Sequence, residues 1–190
     1  LYLGNMLLHM YAKQGMLTKA EEVFNALPNR DVVTWTTLIE GYVQNKCSED
    51  ALNCINKMQN EGVSPNHLTV VWSLKACGDI GDVNKGHIVH GELSRMDLLN
   101  DTFVGSALVD MYAQCGVFSQ AKKVLNELAD RNIVTWNALI AGYVEIGCGN
   151  EALDCYHMMH KETSLVPNEV TFACLLKACD SLGDLNKGIK

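Results

Sequence analysis

The chain has 190 residues, is 48% hydrophobic and carries 15 Lys+Arg against 22 Asp+Glu, a net charge of −7. That is enough apolar material for one ordinary domain or for several small repeated units, and the acidic balance excludes a global positive field that would draw in nucleic acid or anionic lipid. The apolar runs fall far short of the roughly 18 to 20 residues of a membrane span, so the chain reads as soluble, with no membrane partner.

Self-similarity organises the elements. Residues 1–31 hold Gly4, Met10, Tyr11, Ala12, Gly15 and Ala20, which return as Gly105, Met111, Tyr112, Ala113, Gly116 and Ala121. Residues 32–66 follow with Trp35, Leu38, Ile39, Tyr42 and Val43 at i, i+3, i+4, i+7 and i+8, the apolar stripe of an amphipathic helix. A second stripe runs through Ala51, Leu52, Ile55 and Met58, with Ser48 expected as its N-cap, Gly62 just past its end and Pro65 beyond. Residues 67–101 form a third unit containing "SLKACGDIGDVNKG". The pattern then restarts. Residues 102–132 repeat the first unit, with stripes at Val104, Leu108, Met111, Tyr112 and at Ala121, Val124, Leu125, Leu128. Residues 133–168 repeat the second, "NIVTWNALIAGYVEI" answering "DVVTWTTLIEGYVQN", and 169–190 begin a repeat of the third.

Each unit therefore reads as two helices, and no strand pattern competes. Two short helices cannot bury their stripes alone, so the units are expected to stack as one array, an all-α solenoid of antiparallel helix pairs wound as a right-handed superhelix. Five complete units and the start of a sixth, with no polar cap at either end, suggest part of a longer array. Cysteine usage agrees with such a fold. No Cys-x-x-Cys pair occurs, while Cys47, Cys54 and Cys77 recur as Cys148, Cys155 and Cys179, which predicts reduced, buried, small apolar groups.

The tetratricopeptide pattern fits poorly. "VVTWTTLIEGYVQ" followed by "EDALNCINKMQNEGVSPN" instead resembles the pentatricopeptide repeat, with 1–31 and 102–132 similar to its short variant and 67–101 to its long one. Ordinary, long and short units in rotation resemble the plant subclass that selects RNA-editing sites in organelles. The resemblance implies sequence-specific single-stranded RNA binding at one nucleotide per repeat, for editing or processing in the mitochondrion or chloroplast, with no catalysis, cofactor or metal. A deaminase or other editing partner would lie outside these residues.

In that family the fifth and final residues of a unit contact the base edge and the second stacks on the base. Carried over, the base-reading residues are Asn5 with Asp31, Thr36 with Asn66, Val71 with Asp101, Ser106 with Asn132, and Asn137 with Asn168. By the family's code the polar pairs favour U, A, A and a pyrimidine, whereas Val71 offers no hydrogen bond; the sixth unit has Ala173. The stacking residues are Tyr2, Val33, Leu68, Phe103, Val134 and Val170, and Lys13 is a phosphate contact. Two expectations come from physical chemistry alone. Thr36, about 100° round the helix from Trp35, should face outward, and Asp31, Asn66, Asp101, Asn132 and Asn168 suit capping of the helices that follow them, a role compatible with reading.

Other signals are declined. "HGE" at 90–92 mimics half of a zinc-deaminase site, but none of the three prolines precedes a cysteine. His87 with His90, and His157 with His160, lack further ligands. "GCGNEA" at 147–152 joins two helices rather than following a strand, and Asn100 heads a glycosylation sequon by spelling only. A scaffolding solenoid holding a peptide in its groove is the alternative, and its groove residues would be fixed; here they vary between matching copies.

Overall fold

The computed structural model describes residues 2–93, 95–96, 98, 100–162 and 164–183. Among these the secondary structure is eleven α-helices and no strand. The chain divides into two compact units, Leu1–Glu92 and Leu93–Lys190.

The first unit contains α1 (Tyr2–Lys13), α2 (Leu17–Ala26), α3 (Val32–Gln44), α4 (Ser48–Asn60), α5 (His67–Ile80) and α6 (Val83–Glu92). Sequential helices pair, and α1, α3 and α5 also pack on one another in succession. The stripes account for this. Trp35, Leu38, Ile39 and Val43 of α3 are buried together with Ala51, Leu52, Ile55 and Met58 of α4, so each helix seals its neighbour's apolar face. Phe24 of α2 meets Trp35 edge-on, with ring centroids 4.7 Å apart. Tyr42 is half-buried, and its hydroxyl donates to Glu21 Oε1 at 2.6 Å.

The second unit repeats the plan with α7 (Thr102–Gln114), α8 (Phe118–Glu127), α9 (Ile133–Glu145), α10 (Gly149–Glu162) and α11 (Glu169–Ser181). Val104, Leu108, Met111 and Tyr112 are buried against Ala121, Val124, Leu125 and Leu128. Tyr143 stacks on Phe118 at 4.0 Å. The crossings of α3 on α1 and of α9 on α7 are unusually close. A Cβ on Gly41 would lie 2.6 Å from Ala12 Cβ, and one on Gly142 would lie 2.7 Å from Ala113 Cβ, so the glycines admit helix contact that any side chain would push apart.

Two expectations fail locally. Ser48 is not an N-cap: it is the first residue of α4, Cys47 holds the cap position without a side-chain bond, and Ser48 Oγ donates instead to Asp79 Oδ2 at 3.1 Å. The eight cysteines are free, but only Cys54, Cys77, Cys155 and Cys179 are buried; Cys47 and Cys148 sit half-buried in interhelix turns, where the chain reverses at the surface. Burial pushes the Cys54 thiol up to about 12 and the Cys155 thiol up to about 11. Residues 184–190 of the expected sixth unit lie outside the described residues.

Candidate nucleic-acid interface

Five of the first helices, α3, α5, α7, α9 and α11, start at a side chain that accepts a hydrogen bond from the backbone. Asp31 Oδ1 accepts from Thr34 N at 2.9 Å, Asn66 Oδ1 from Thr69 N at 2.9 Å, Asn132 Oδ1 from Thr135 N at 3.0 Å and Asn168 Oδ1 from Thr171 N at 3.0 Å. Asp101 Oδ1 accepts from Phe103 N at 2.9 Å and Val104 N at 3.0 Å. All five final residues are therefore caps. The hydrogen bond from the Thr34 backbone N–H to Asp31 holds that carboxyl below its ordinary 3.8.

Capping polarises what these side chains present. Because the cap engages Oδ1, an asparagine turns its Nδ2 donor elsewhere, whereas an aspartate turns a second acceptor oxygen. Asp31 and Asn66 thus differ in hydrogen-bond sign at equivalent positions.

The fifth-position residues depart from expectation. Thr36 is only 6% exposed, Ser106 8% and Asn137 6%, so none stands out from its helix as Thr36 was expected to. The reason is a junction formed with the next helix. Thr36 Oγ1 lies 2.8 Å from Thr69 Oγ1, and Ser106 Oγ lies 2.8 Å from Thr135 Oγ1. Asn137 donates from Nδ2 to Asn168 Oδ1 at 3.0 Å and accepts from Thr171 Oγ1 at 2.8 Å. Asn5 Oδ1 accepts from Thr34 Oγ1 at 2.9 Å and is half-buried. The helical angle from Trp35 was right for an isolated helix, but the following helix covers the position. Val71 is half-buried in α5 and Ala173 is exposed on α11.

The second-position residues behave in the opposite way. Tyr2 is 80% exposed, Val33 53%, Leu68 48%, Phe103 77%, Val134 61% and Val170 54%. Six apolar side chains at the first turns of successive first helices stand in solvent rather than in the core, where an apolar residue normally packs. Lys13 is exposed in the last turn of α1. Among the described residues no group of three His, Cys, Asp or Glu side chains could hold a metal ion, and no helix is long and apolar enough to cross a membrane.

Sequence reasoning missed Thr34, Thr69, Thr135 and Thr171, each at most 1% exposed, which tie the final residue of one unit to the fifth. The signal was present: a threonine stands three positions after Asp31, Asn66, Asn132 and Asn168, the spacing of a capping box. The box closes in full at Asn66 and Asn168, whose backbone N–H groups donate to Thr69 and Thr171.

Models of the PPR repeat family match residues 30–79 and 131–180, and models of the PPR repeat match 5–32 and 106–133. The chain belongs to the pentatricopeptide repeat family. Its relatives include the Arabidopsis thaliana pentatricopeptide repeat-containing proteins At3g57430, chloroplastic, 37% identical over all of this chain and 22% of its own length, and At1g06140, mitochondrial, 35% identical over all of this chain and 34% of its own length. The chain thus spans between about a fifth and a third of these pentatricopeptide repeat proteins. Among solved structures, the maize pentatricopeptide repeat protein PPR10 superposes with a TM-score of 0.80 at 22% identity, over 97% of this chain and 28% of that one. PPR10 in complex with an 18-nt psaJ RNA element gives 0.75 at 20% identity, over 98% and 28%. The likeness shows the shared α-solenoid fold.

Proposed function

We propose that the chain binds single-stranded RNA in a sequence-specific manner, one nucleotide per repeat, along repeats 1–31, 32–66, 67–101, 102–132, 133–168 and the partial 169–190. The observation that carries this is the run of exposed apolar side chains at Tyr2, Val33, Leu68, Phe103, Val134 and Val170, all but Tyr2 standing two residues past a polar capping group. A nucleotide needs both. An apolar platform stacks on any base, since every base has a π-face, and the hydrogen-bonding edge discriminates among bases.

The polarity fixed by capping supports a pairing chemistry. The second carboxylate oxygen of Asp31 suits the N3–H donor of U, while the Nδ2 donors of Asn66 and Asn132 suit the N1 acceptor of A. Asn137 with Asn168 suits a pyrimidine, and Lys13 is assigned to a phosphate. PPR10 has been solved with RNA bound, and relatives are named chloroplastic or mitochondrial. The transcript is accordingly proposed to be organellar, and the chain's role is to specify sites for RNA editing or processing. The chain recognises and does not itself react; any deaminase is a separate domain or partner.

The test is a binding series of U-A-n-A-Y single strands against scrambled strands of the same composition. The expected result is tighter binding of the ordered strand by about tenfold per matched position lost. Equal affinity for both sets removes the sequence-reading function.

A further inference from the structure

Thr34, Thr69, Thr135 and Thr171 are too deeply buried to touch RNA. Each nevertheless lies between two side chains that the proposed function assigns to one nucleotide. Thr69 Oγ1 lies 3.0 Å from Asn66 Oδ1 and 2.8 Å from Thr36 Oγ1. Thr135 Oγ1 lies 3.0 Å from Asn132 Oδ1 and 2.8 Å from Ser106 Oγ. Thr171 Oγ1 lies 3.0 Å from Asn168 Oδ1 and 2.8 Å from Asn137 Oδ1, and Thr34 Oγ1 lies 2.9 Å from both Asp31 Oδ1 and Asn5 Oδ1.

A threonine hydroxyl has one proton and two lone pairs, so it cannot donate to both partners at once. The backbone N–H of the same threonine already fixes the oxygen end of the final residue. What the hydroxyl adds is control of the fifth residue. At Thr171 it supplies the donor that fixes Asn137 Oδ1, so the Nδ2 end turns to Asn168 Oδ1 and keeps only its second proton for a ligand. At Thr69, Thr36 has two arrangements. Its proton goes either to Val32 O, 2.7 Å away, or to Thr69, and these leave different lone pairs on Thr36 for a ligand. The long unit has neither partner, for Val71 is its fifth residue and Val104 stands three positions after Asp101.

We infer that the buried threonine at four of the junctions, Thr34, Thr69, Thr135 or Thr171, is a positioning residue that sets the hydrogen-bond polarity of the fifth residue and so helps determine which base is accepted. This rests on the base-reading function proposed above. It adds, at the four nucleotides of the short and ordinary units, a third determinant that never meets the RNA.

The test uses the whole 190-residue chain and four RNAs differing only at the second nucleotide of U-A-n-A-Y. Thr69→Val removes the hydroxyl at nearly constant volume, and Thr69→Ser restores it. Thr69→Val is expected to reduce the preference for A at that nucleotide by about tenfold, with Thr69→Ser keeping it. Thr135→Val, read on four RNAs differing only at the fourth nucleotide, should do the same there, which keeps the test standing if one variant fails to fold. A merely structural threonine would weaken all four RNAs by one common factor, and that outcome overturns the inference. Asn66→Asp is the control. If it alters base preference while Thr69→Val and Thr135→Val do not, only the positioning role falls; if it too changes nothing, or the parent chain shows no preference, base reading falls and the positioning role with it.

Discussion

The exchange of one carboxylate oxygen for an amide nitrogen separates Asp31 from Asn132, the residues that open two corresponding helices, and the cap explains why that difference is tolerable for folding. Either side chain accepts from the threonine N–H three positions on, so Asp31→Asn should change stability at neutral pH by no more than about 0.5 kcal/mol. Its free end changes sign, and C should gain on U at the first nucleotide by about tenfold in a competition assay. Acid gives an independent check. Because the folded-state pKa of Asp31 lies below the ordinary 3.8, its contribution is complete above that value and is lost as pH falls through the folded pKa. Unfolding followed between pH 5 and pH 2 should therefore show a shallower loss of stability in Asp31→Asn than in the parent. Phe103 offers a contrasting test, since at 77% exposure it adds little to the core. Phe103→Ala should leave the melting temperature nearly unchanged and weaken all RNAs by about 1–3 kcal/mol, read by fluorescence anisotropy.

Between helices, the decisive contacts are made by the smallest residues. Gly41 against Ala12 and Gly142 against Ala113 set how closely α3 meets α1 and α9 meets α7. A methyl group at 2.7 Å from another Cβ has no flexible neighbour to displace, so the helices themselves must separate. Gly142→Ala is expected to cost about 1–3 kcal/mol in urea denaturation, although alanine is the better helix former by about 1 kcal/mol. Gly62→Ala is the comparison: no atom lies within 4 Å of its added Cβ, so the cost comes only from its φ of +78° and should stay near 1 kcal/mol. The turns carry the same logic in reverse. Ser48 looked like a cap because serine before an apolar stripe usually is one, but Asp79 on α5 supplies an acceptor that the local sequence does not contain.

For the molecule as a whole, charge limits how RNA can be held. The 15 Lys+Arg are outweighed by 22 Asp+Glu, so phosphates meet a net negative field and affinity should rest mainly on stacking and base edges. Raising salt from 50 to 200 mM should weaken binding by about tenfold or less, the response of roughly two phosphate contacts on a single strand. A steeper slope would mean that phosphate contacts dominate and that the apolar row is secondary.

The sequence by itself determined the helix pairs, their buried stripes and the final residues as caps, because these depend on periodicity and on groups three or four positions apart. Trp35, Leu38, Ile39 and Val43 are buried as their spacing required, and Asn66 begins α5 as its position before the stripe required. Two things were decided only by tertiary structure. Thr36 was placed on an outward face by helical angle, yet the following helix covers it, as it does Ser106 and Asn137, and engages the three through Thr69, Thr135 and Thr171. Val33 and Phe103, which an apolar character alone would send inward, remain in solvent because they stand on the side of the first turn away from the neighbours that bury Thr34 and Val104. A periodic pattern says which face of a helix is apolar; which of its remaining faces meets another helix depends on how the pairs stack.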